Sequence, residues 1–352
     1  MTARGAAAAA MAALLLPVTA LWTARAVCPG DSVQPASGTP RLAGSPPRLC
    51  ATFSIVAIDT ATGEAGVAVQ SHWFSVGSMV PWARAGVGAV ATQSFVEPAY
   101  GPRILDRIEH GERATGALAA ETDADSLRSV RQVLAIDMRG NTGAYTGEEC
   151  IPYAGHRVGK DHACAGNLLA APGVWDSMSA AFTRTTGPLA ERLLAALEAG
   201  QAAGGDSRGM QSAALLVERA VDPQRPWKNR IVDLRVEDHP DPIVEIRRLY
   251  RIHEAYRLAD EGDAAFARKL FADAFRLYDG ALRLQPDNDE ILFWRASMYA
   301  GTGRLEEAAS DAAEAIRRNG RWRALLARIP ESAFPQAGEV CRRLSIPRVA
   351  GR

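Results

Sequence analysis

The sequence predicts an α+β domain followed by an all-α domain, and two observations carry the prediction. Short apolar runs of strand length stand at both ends of residues 51–241, with longer amphipathic segments between them. That order makes two stacked sheets, or one mixed sheet, covered by helices. From residue 242 onward the apolar spacing is helical, and small residues recur 34 positions apart: Ala274 with Ala308, and Ala281 with Ala315.

Residues 1–26 read as an export signal. Arg4 supplies the positive end, the stretch Ala6 to Trp22 is apolar apart from Pro17 and Thr19, and Ala24-Arg25-Ala26 offers small residues at a cleavage site. The apolar core is short for a membrane span, and no charged stop-transfer segment follows. The mature chain is therefore expected to be exported, periplasmic or secreted. Arg25 stands where a lipobox before Cys28 would need Leu. Residues 27–50 are rich in Pro, Gly and Ser without an apolar period, as in a linker or propeptide.

The first domain then opens with the strand Thr52 to Asp59. A turn at 59–63 leads to a return strand Gly66 to Gln70, making a hairpin. Gly86 to Gln93 reads as a strand of small residues, buried on both faces. Tyr100 to Gly111 is a short helix, Gln132 to Asp137 and Thr142 to Thr146 are strands, and Tyr153 to Gly159 is a glycine-rich loop. Helices follow at 174–183 and 188–203. In the second, Leu189, Leu193, Leu194 and Leu197 share one face. Gln211 to Glu218 and Ile231 to Glu237 complete the strands.

The second domain runs over 242–328 and a tail over 329–352. Its 34-residue period is that of tetratricopeptide repeats, with Leu292, Ala296, Tyr299, Gly303, Ala308, Ala312 and Ala315 at the expected places of the second copy. The first copy carries extra residues around Gly262 to Phe271. Stacked helix pairs leave a concave face for a protein or cell-wall partner; equally, two copies can cap the first domain or make dimer contacts.

Composition excludes some functions. Lys and Arg together number 40, equal to Asp and Glu, so no global field draws nucleic acid. No Walker loop and no Gly-x-Ser-x-Gly elbow are present. His156, Asp161 and His162 share a loop, but their spacing fits no usual metal site. No cofactor is called for. Five cysteines leave at least one unpaired within the chain; Cys150 with Cys164 and Cys28 with Cys50 are the expected bridges.

The candidate nucleophile is Thr52, a hydroxyl residue opening a strand behind a removable leader. Freed by cleavage after Ala51, its own α-amino group, with a reference pKa near 8, would serve as base. The alternative is a β-branched residue that merely starts a strand. Ser71, Gln93 and Asn167, at strand ends or glycine-rich turns, are candidate donors to an oxyanion, or simply turn and edge hydrogen bonders. Asp206 and Arg208, set among three glycines, make either a clamp for a carboxylate or amide substrate or a brace for a tight turn.

Several segments stand together in a particular order: Ala51 to Ala57, Thr62 to Ser71, Val87 to Gln93, Tyr100-Gly101-Pro102, Gly204 to Ala214 and Val232 to His239. With them the chain, from about Ala51 to Leu249, resembles the bacterial family catalogued as domain of unknown function 1028. That resemblance implies a four-layer αββα sandwich like that of N-terminal-nucleophile hydrolases, and no established substrate. The expected function is an exported amidohydrolase of that type, acting on an unknown small amide or peptide, with a repeat module as appendage. The alternative is a non-catalytic envelope scaffold or binding protein, and a homo-oligomer is compatible with either.

Overall fold

The computed structural model describes residues 48–50 and 52–349, with the side chains of 48–50 left aside. The export signal and most of the linker, including Cys28, lie outside the described residues. Eleven strands and ten α-helices are present among those described.

In chain order the strands of the first domain are β1 (Arg48–Cys50), β2 (Thr52–Asp59), β3 (Glu64–Ser71), β4 (Pro81–Arg84) and β5 (Gly88–Val96). Helices α1 (Tyr100–Glu109) and α2 (Ala114–Asp123) lead to β6 (Arg131–Asp137), β7 (Thr142–Thr146), β8 (Gly155–Gly159) and β9 (His162–Gly166). Helices α3 (Val174–Arg184) and α4 (Leu189–Ala202) precede β10 (Ser212–Glu218) and β11 (Arg230–Val236).

These strands form two sheets, antiparallel throughout. One has six strands in the order β11-β10-β3-β2-β9-β8. The other has the order β1-β5-β6-β7, with β4 sharing with β1 the same edge of β5. The sequence-predicted hairpin is the β2–β3 pair, in register from Thr52 opposite Ser71 to Asp59 opposite Glu64.

Strand alternation sorts the side chains into separate cores. Val56, Ile58, Val67 and Val69 of the six-stranded sheet pack with Ala89, Ala91, Leu134 and Ile136 of the other. The opposite residues of β2, Phe53, Ile55 and Ala57, pack with Met178 and Phe182 of α3 and with Leu193, Leu194 and Leu197 of α4. Val90, Val133 and Ala135 pack outward against α1 and α2 through Ile104, Leu105 and Leu118. Close approach of β5 to β6 requires Gly88: its φ is +153°, and a Cβ there would lie 2.0 Å from the Ile136 carbonyl oxygen.

The helical part begins with α5 (Pro242–Ala267), capped by Asp241, whose side chain accepts from the Val244 N–H. Then come α6 (Phe271–Leu284), α7 (Asp289–Gly301), α8 (Leu305–Arg318), α9 (Arg321–Arg328) and α10 (Ala337–Arg343). Helices α6 and α8 start 34 residues apart, and Ala274, Ala308, Ala281 and Ala315 are all fully buried. The first copy has no insertion. Its first helix is the second half of α5, in which Gly262 abuts the Tyr278 ring. The first half of α5 buries Ile243, Ile246 and Tyr250 against the core under α4. Phe334, Val340, Cys341 and Ile346 of the C-terminal segment pack with α7, α8 and α9.

Three further readings are corrected. The glycine-rich stretch at 153–159 contains β8, hydrogen-bonded to β9. Strand β4 and helix α2 are additions that short or weakly patterned segments did not announce. Cys150 and Cys164 are free thiols: Cys164 faces the core under α3 and α4, while the Cys150 thiol donates to the Arg131 carbonyl at 3.3 Å. A spacing of 14 residues says nothing about which face each sulfur occupies, and here they differ. Burial pushes both thiols up from the ordinary cysteine range.

Candidate active site

The apolar layer between the sheets ends in a polar cluster. On β2 the inward-facing positions are Ile58 and Val56, then Ser54 and Thr52, so the same parity that buries two aliphatic side chains delivers two hydroxyls. Ser71 ends β3 opposite Thr52. On the facing sheet, Gln93 continues the inward row of Ala89 and Ala91, and Gln132 that of Ile136 and Leu134. All five polar side chains are fully buried, as is Asn167, which follows β9.

Direct contacts join them. The Thr52 hydroxyl lies 3.2 Å from Ser71 Oγ. Ser54 Oγ donates to Gln93 Oε1 at 2.7 Å, and Gln93 Nε2 donates to Gln132 Oε1 at 2.7 Å. Gln132 Oε1 also accepts from Asn167 Nδ2 at 2.9 Å. Gln132 Nε2 reaches Thr146 Oγ1 at 2.9 Å and the Gly155 and Gly166 carbonyls at 3.1 and 2.9 Å. The backbone N–H of Asn167 donates to the Thr52 carbonyl at 3.1 Å, which holds the amide side chain beside β2. Asn167 Oδ1 is buried without a hydrogen-bond partner among the described residues. A buried acceptor left unpaired is costly, and such atoms concentrate where a ligand or a changed covalent state supplies the partner.

The backbone around these residues is constrained. Ser94, next to Gln93, has φ +70°, and Leu168, next to Asn167, has φ +51°. Positive φ in non-glycine residues is uncommon and persists where the surroundings over-determine it.

Asp206 and Arg208 form the rim. The Asp206 carboxylate accepts from the backbone N–H groups of His72 (3.0 Å) and Arg208 (2.9 Å), and from Arg208 Nε (3.1 Å) and Nη2 (2.8 Å). Leu169 and Asp206 share a bridge, and Gln211 N–H donates to the Ser71 carbonyl. The pair thus ties together the segment after Ser71 and the segment after Asn167, with the geometry of a brace.

Of the six sequence-predicted residues, Thr52, Ser71, Gln93 and Asn167 converge, while Asp206 and Arg208 stand behind Ser71. Ser54 and Gln132, which sequence reasoning did not select, are central to the network. Their signal was parity: each is a polar residue in phase with the inward aliphatic residues of its strand. Among the described residues no three His, Cys, Asp or Glu side chains gather as a metal set, and no helix is long and apolar enough to cross a membrane.

One more feature concerns the peptide before Thr52. Strand β1 pairs with β5, Cys50 opposite Ser94, whereas β2 belongs to the other sheet. The chain therefore passes from one sheet to the other between Cys50 and Thr52.

Comparison with known proteins agrees with this architecture. A crystal structure of a Silicibacter pomeroyi protein carrying the DUF1028 family model is 34% identical, with a TM-score of 0.52, covering 57% of this chain and 85% of that one. Two curated proteins match short stretches. The heat-shock protein cognate (HSC) co-chaperone sgt12 of Aspergillus fumigatus is 44% identical over 59 residues, 17% of each chain. The TPR repeat-containing thioredoxin TTL4 of Arabidopsis thaliana is 39% identical over 56 residues, 16% of this chain and 8% of that protein. The chain thus spans less than a fifth of either curated relative. The model of the family of unknown function DUF1028 matches residues 52–246, more than half of the sequence, and the chain belongs to that family.

Proposed function

We propose that this protein is an exported amidohydrolase of N-terminal-nucleophile type, acting on a small amide or peptide. In this reading the three cores correspond to an αββα layering, and the Ala51–Thr52 peptide is cut to free the Thr52 amine. The observation that carries the reading is the position of Thr52. Its hydroxyl lies beside Ser71 next to a buried cluster of side-chain amides, at the start of β2, while Cys50 still belongs to the other sheet.

The freed amine takes the proton of Thr52 Oγ1 as the oxygen adds to the amide carbon. Ser71 Oγ and Asn167 Nδ2 supply donors for the oxyanion, and the protonated amine passes its proton to the leaving nitrogen. Water then releases the acyl group by the reverse proton route. Asn167 Oδ1, unpartnered in the uncut chain, gains a donor from the new amine. Repeats α5 to α8 serve as a partner-binding appendage.

A second reading, an inert envelope scaffold, has one observation in its favour: Thr52 is fully buried in the uncut chain. The mature amino terminus decides between them. Mass spectrometry of protein from its native host should find Thr52 first, and Thr52→Ala should retain residues 27–51. A native chain starting near Val27 refutes the hydrolase and leaves the scaffold.

A further inference from the structure

A second hydroxyl–base pair stands on the outer face of the six-stranded sheet. His162 opens β9 opposite Ala57, five residues from Thr52 on β2, which is about 17 Å along the strand. The faces differ as well. The His162 ring lies 4.7 Å from the Phe182 ring of α3, whereas Thr52 points between the sheets.

The partners of His162 decide its tautomer. Nδ1 lies 2.8 Å from the Lys160 carbonyl oxygen, and Nε2 lies 2.8 Å from Ser179 Oγ. A carbonyl oxygen only accepts, so Nδ1 carries the hydrogen. The neutral ring then offers its lone pair at Nε2, and the Ser179 hydroxyl donates into it. Nucleophile, base and a third group orienting the base stand in the order that activates a serine, with a backbone carbonyl in the orienting place.

Exposure divides suitably between the two. His162 is 2% exposed, held by β9 and α3, while Ser179 is partly exposed. Both line an open groove of about 700 Å³. Burial holds the imidazole below its ordinary range, and Arg192 nearby acts in the same direction, so the neutral form persists near pH 7.

The groove is basic. Arg157, Lys160, Arg184 and Arg192 line it against Asp161 and Asp176. Arg157 pairs with Asp176 at 2.6 Å. Arg192 lies over the Phe182 ring at 4.1 Å, reaches Asp59 at 3.5 Å, and keeps its buried Nε without a hydrogen-bond partner. Lys160 and Arg184 are exposed at the mouth. A concave surface with excess positive charge concentrates anions.

We propose that Ser179 and His162 form a second nucleophilic site, which accepts small acyl esters bearing a carboxylate. Ser179 Oγ adds to the ester carbonyl carbon while its proton passes to His162 Nε2. The bond from that carbon to the alkoxy oxygen breaks, and the alcohol leaves with the proton. Water then adds to the acyl-serine, giving a proton to Nε2; the bond to Ser179 Oγ breaks, and the serine recovers its proton. Water is the only co-reactant. Lys160 and Arg184 hold the carboxylate.

The test uses the full chain, a fluorophosphonate probe and two chromogenic esters, nitrophenyl acetate and the mono-nitrophenyl ester of glutarate. Peptide mapping of the labelled wild type should place the phosphonyl group on Ser179. The Ser179→Ala variant, lacking the nucleophile, should lose the label and at least about a hundredfold of nitrophenolate release. The pair Lys160→Gln with Arg184→Gln should raise KM for the glutarate ester severalfold more than for the acetate. Label on Thr52 or elsewhere, no label, or a Ser179→Ala variant as active as wild type overturns the site. Equal changes in KM overturn the carboxylate assignment. Mapping on the wild type decides the matter even if the alanine variant fails to fold.

Discussion

Replacing Gln132 by Met removes the hub of the polar cluster while keeping side-chain length. Gln132 Oε1 accepts from Gln93 and Asn167, and its Nε2 faces Thr146 Oγ1 and two backbone carbonyls, all in a fully buried setting. A thioether replaces none of these bonds. Stranding the two amide donors alone costs about 1–3 kcal/mol each, hence about 2–6 kcal/mol together. Against a usual total of about 5–15 kcal/mol, that is a large fraction of the stability. Urea unfolding followed by circular dichroism measures it as a lower midpoint with an unchanged slope. If the chain is cut before Thr52 as proposed, the variant should also lose that cut, because Asn167 loses the acceptor that orients its amide. A loss under about 1 kcal/mol would mean that water enters and replaces Gln132, and the reasoning from a dry cluster would be wrong.

Two further outcomes follow from features away from the cluster. The His162 pKa is lowered mainly by burial, so below its ordinary value of 6.5 the unfolded chain binds a proton that the folded chain resists. Stability is therefore fully present above pH 6.5 and falls as the pH drops below it; urea midpoints of wild type and His162→Asn should converge on acidification, and a constant gap between them contradicts the assignment. In the repeats, Ala315 is fully buried where α8 meets its neighbours. Ala315→Leu overpacks that contact and should cost about 1–3 kcal/mol, read by thermal unfolding; an unchanged midpoint would mean that the helices do not pack as described.

Much of the fold was legible because its signals are local. The β2–β3 hairpin is announced by a five-residue turn between apolar runs, and the leucine face of α4 by its spacing. The 34-residue period located α6 and α8 because small residues at helix contacts must repeat when helices stack alike. Strand β4 has four residues and no alternation to read, since each of its positions is partly buried. Helix α5 was misjudged at Gly262 to Phe271 because glycine reads as an interruption. At Gly262 it instead makes room for the Tyr278 ring, a contact between helices that one helix cannot reveal.

The site was legible in half. Thr52, Ser71, Gln93 and Asn167 stood out at strand ends and turns, where polar residues attract notice. Ser54 and Gln132 sit inside strands, and their partners lie 39 and 35 residues away. Only the pairing of β5 with β6, and the stacking of one sheet on the other, places them face to face. Cys150 and Cys164 misled for the converse reason: nearness along the chain stood in for direction, whereas the parity of β9 turns Cys164 toward α3 and α4 and Cys150 lies beyond the end of β7.

The 26 residues of α5 make a rod of about 39 Å without a joint. Its first turns roof the sheets through Ile243, Ile246 and Tyr250, and Arg247 clasps Glu191 and Glu198 of α4; its last turns found the helical array through Ala255, Ala259 and Ala265. A partner bound by the array, as proposed, would thereby be held at a set bearing from the sheets, presented rather than tethered. Severing the chain at residue 241 would unroof the sheets, and a separable sheet domain would have to keep its rod to beyond Tyr250.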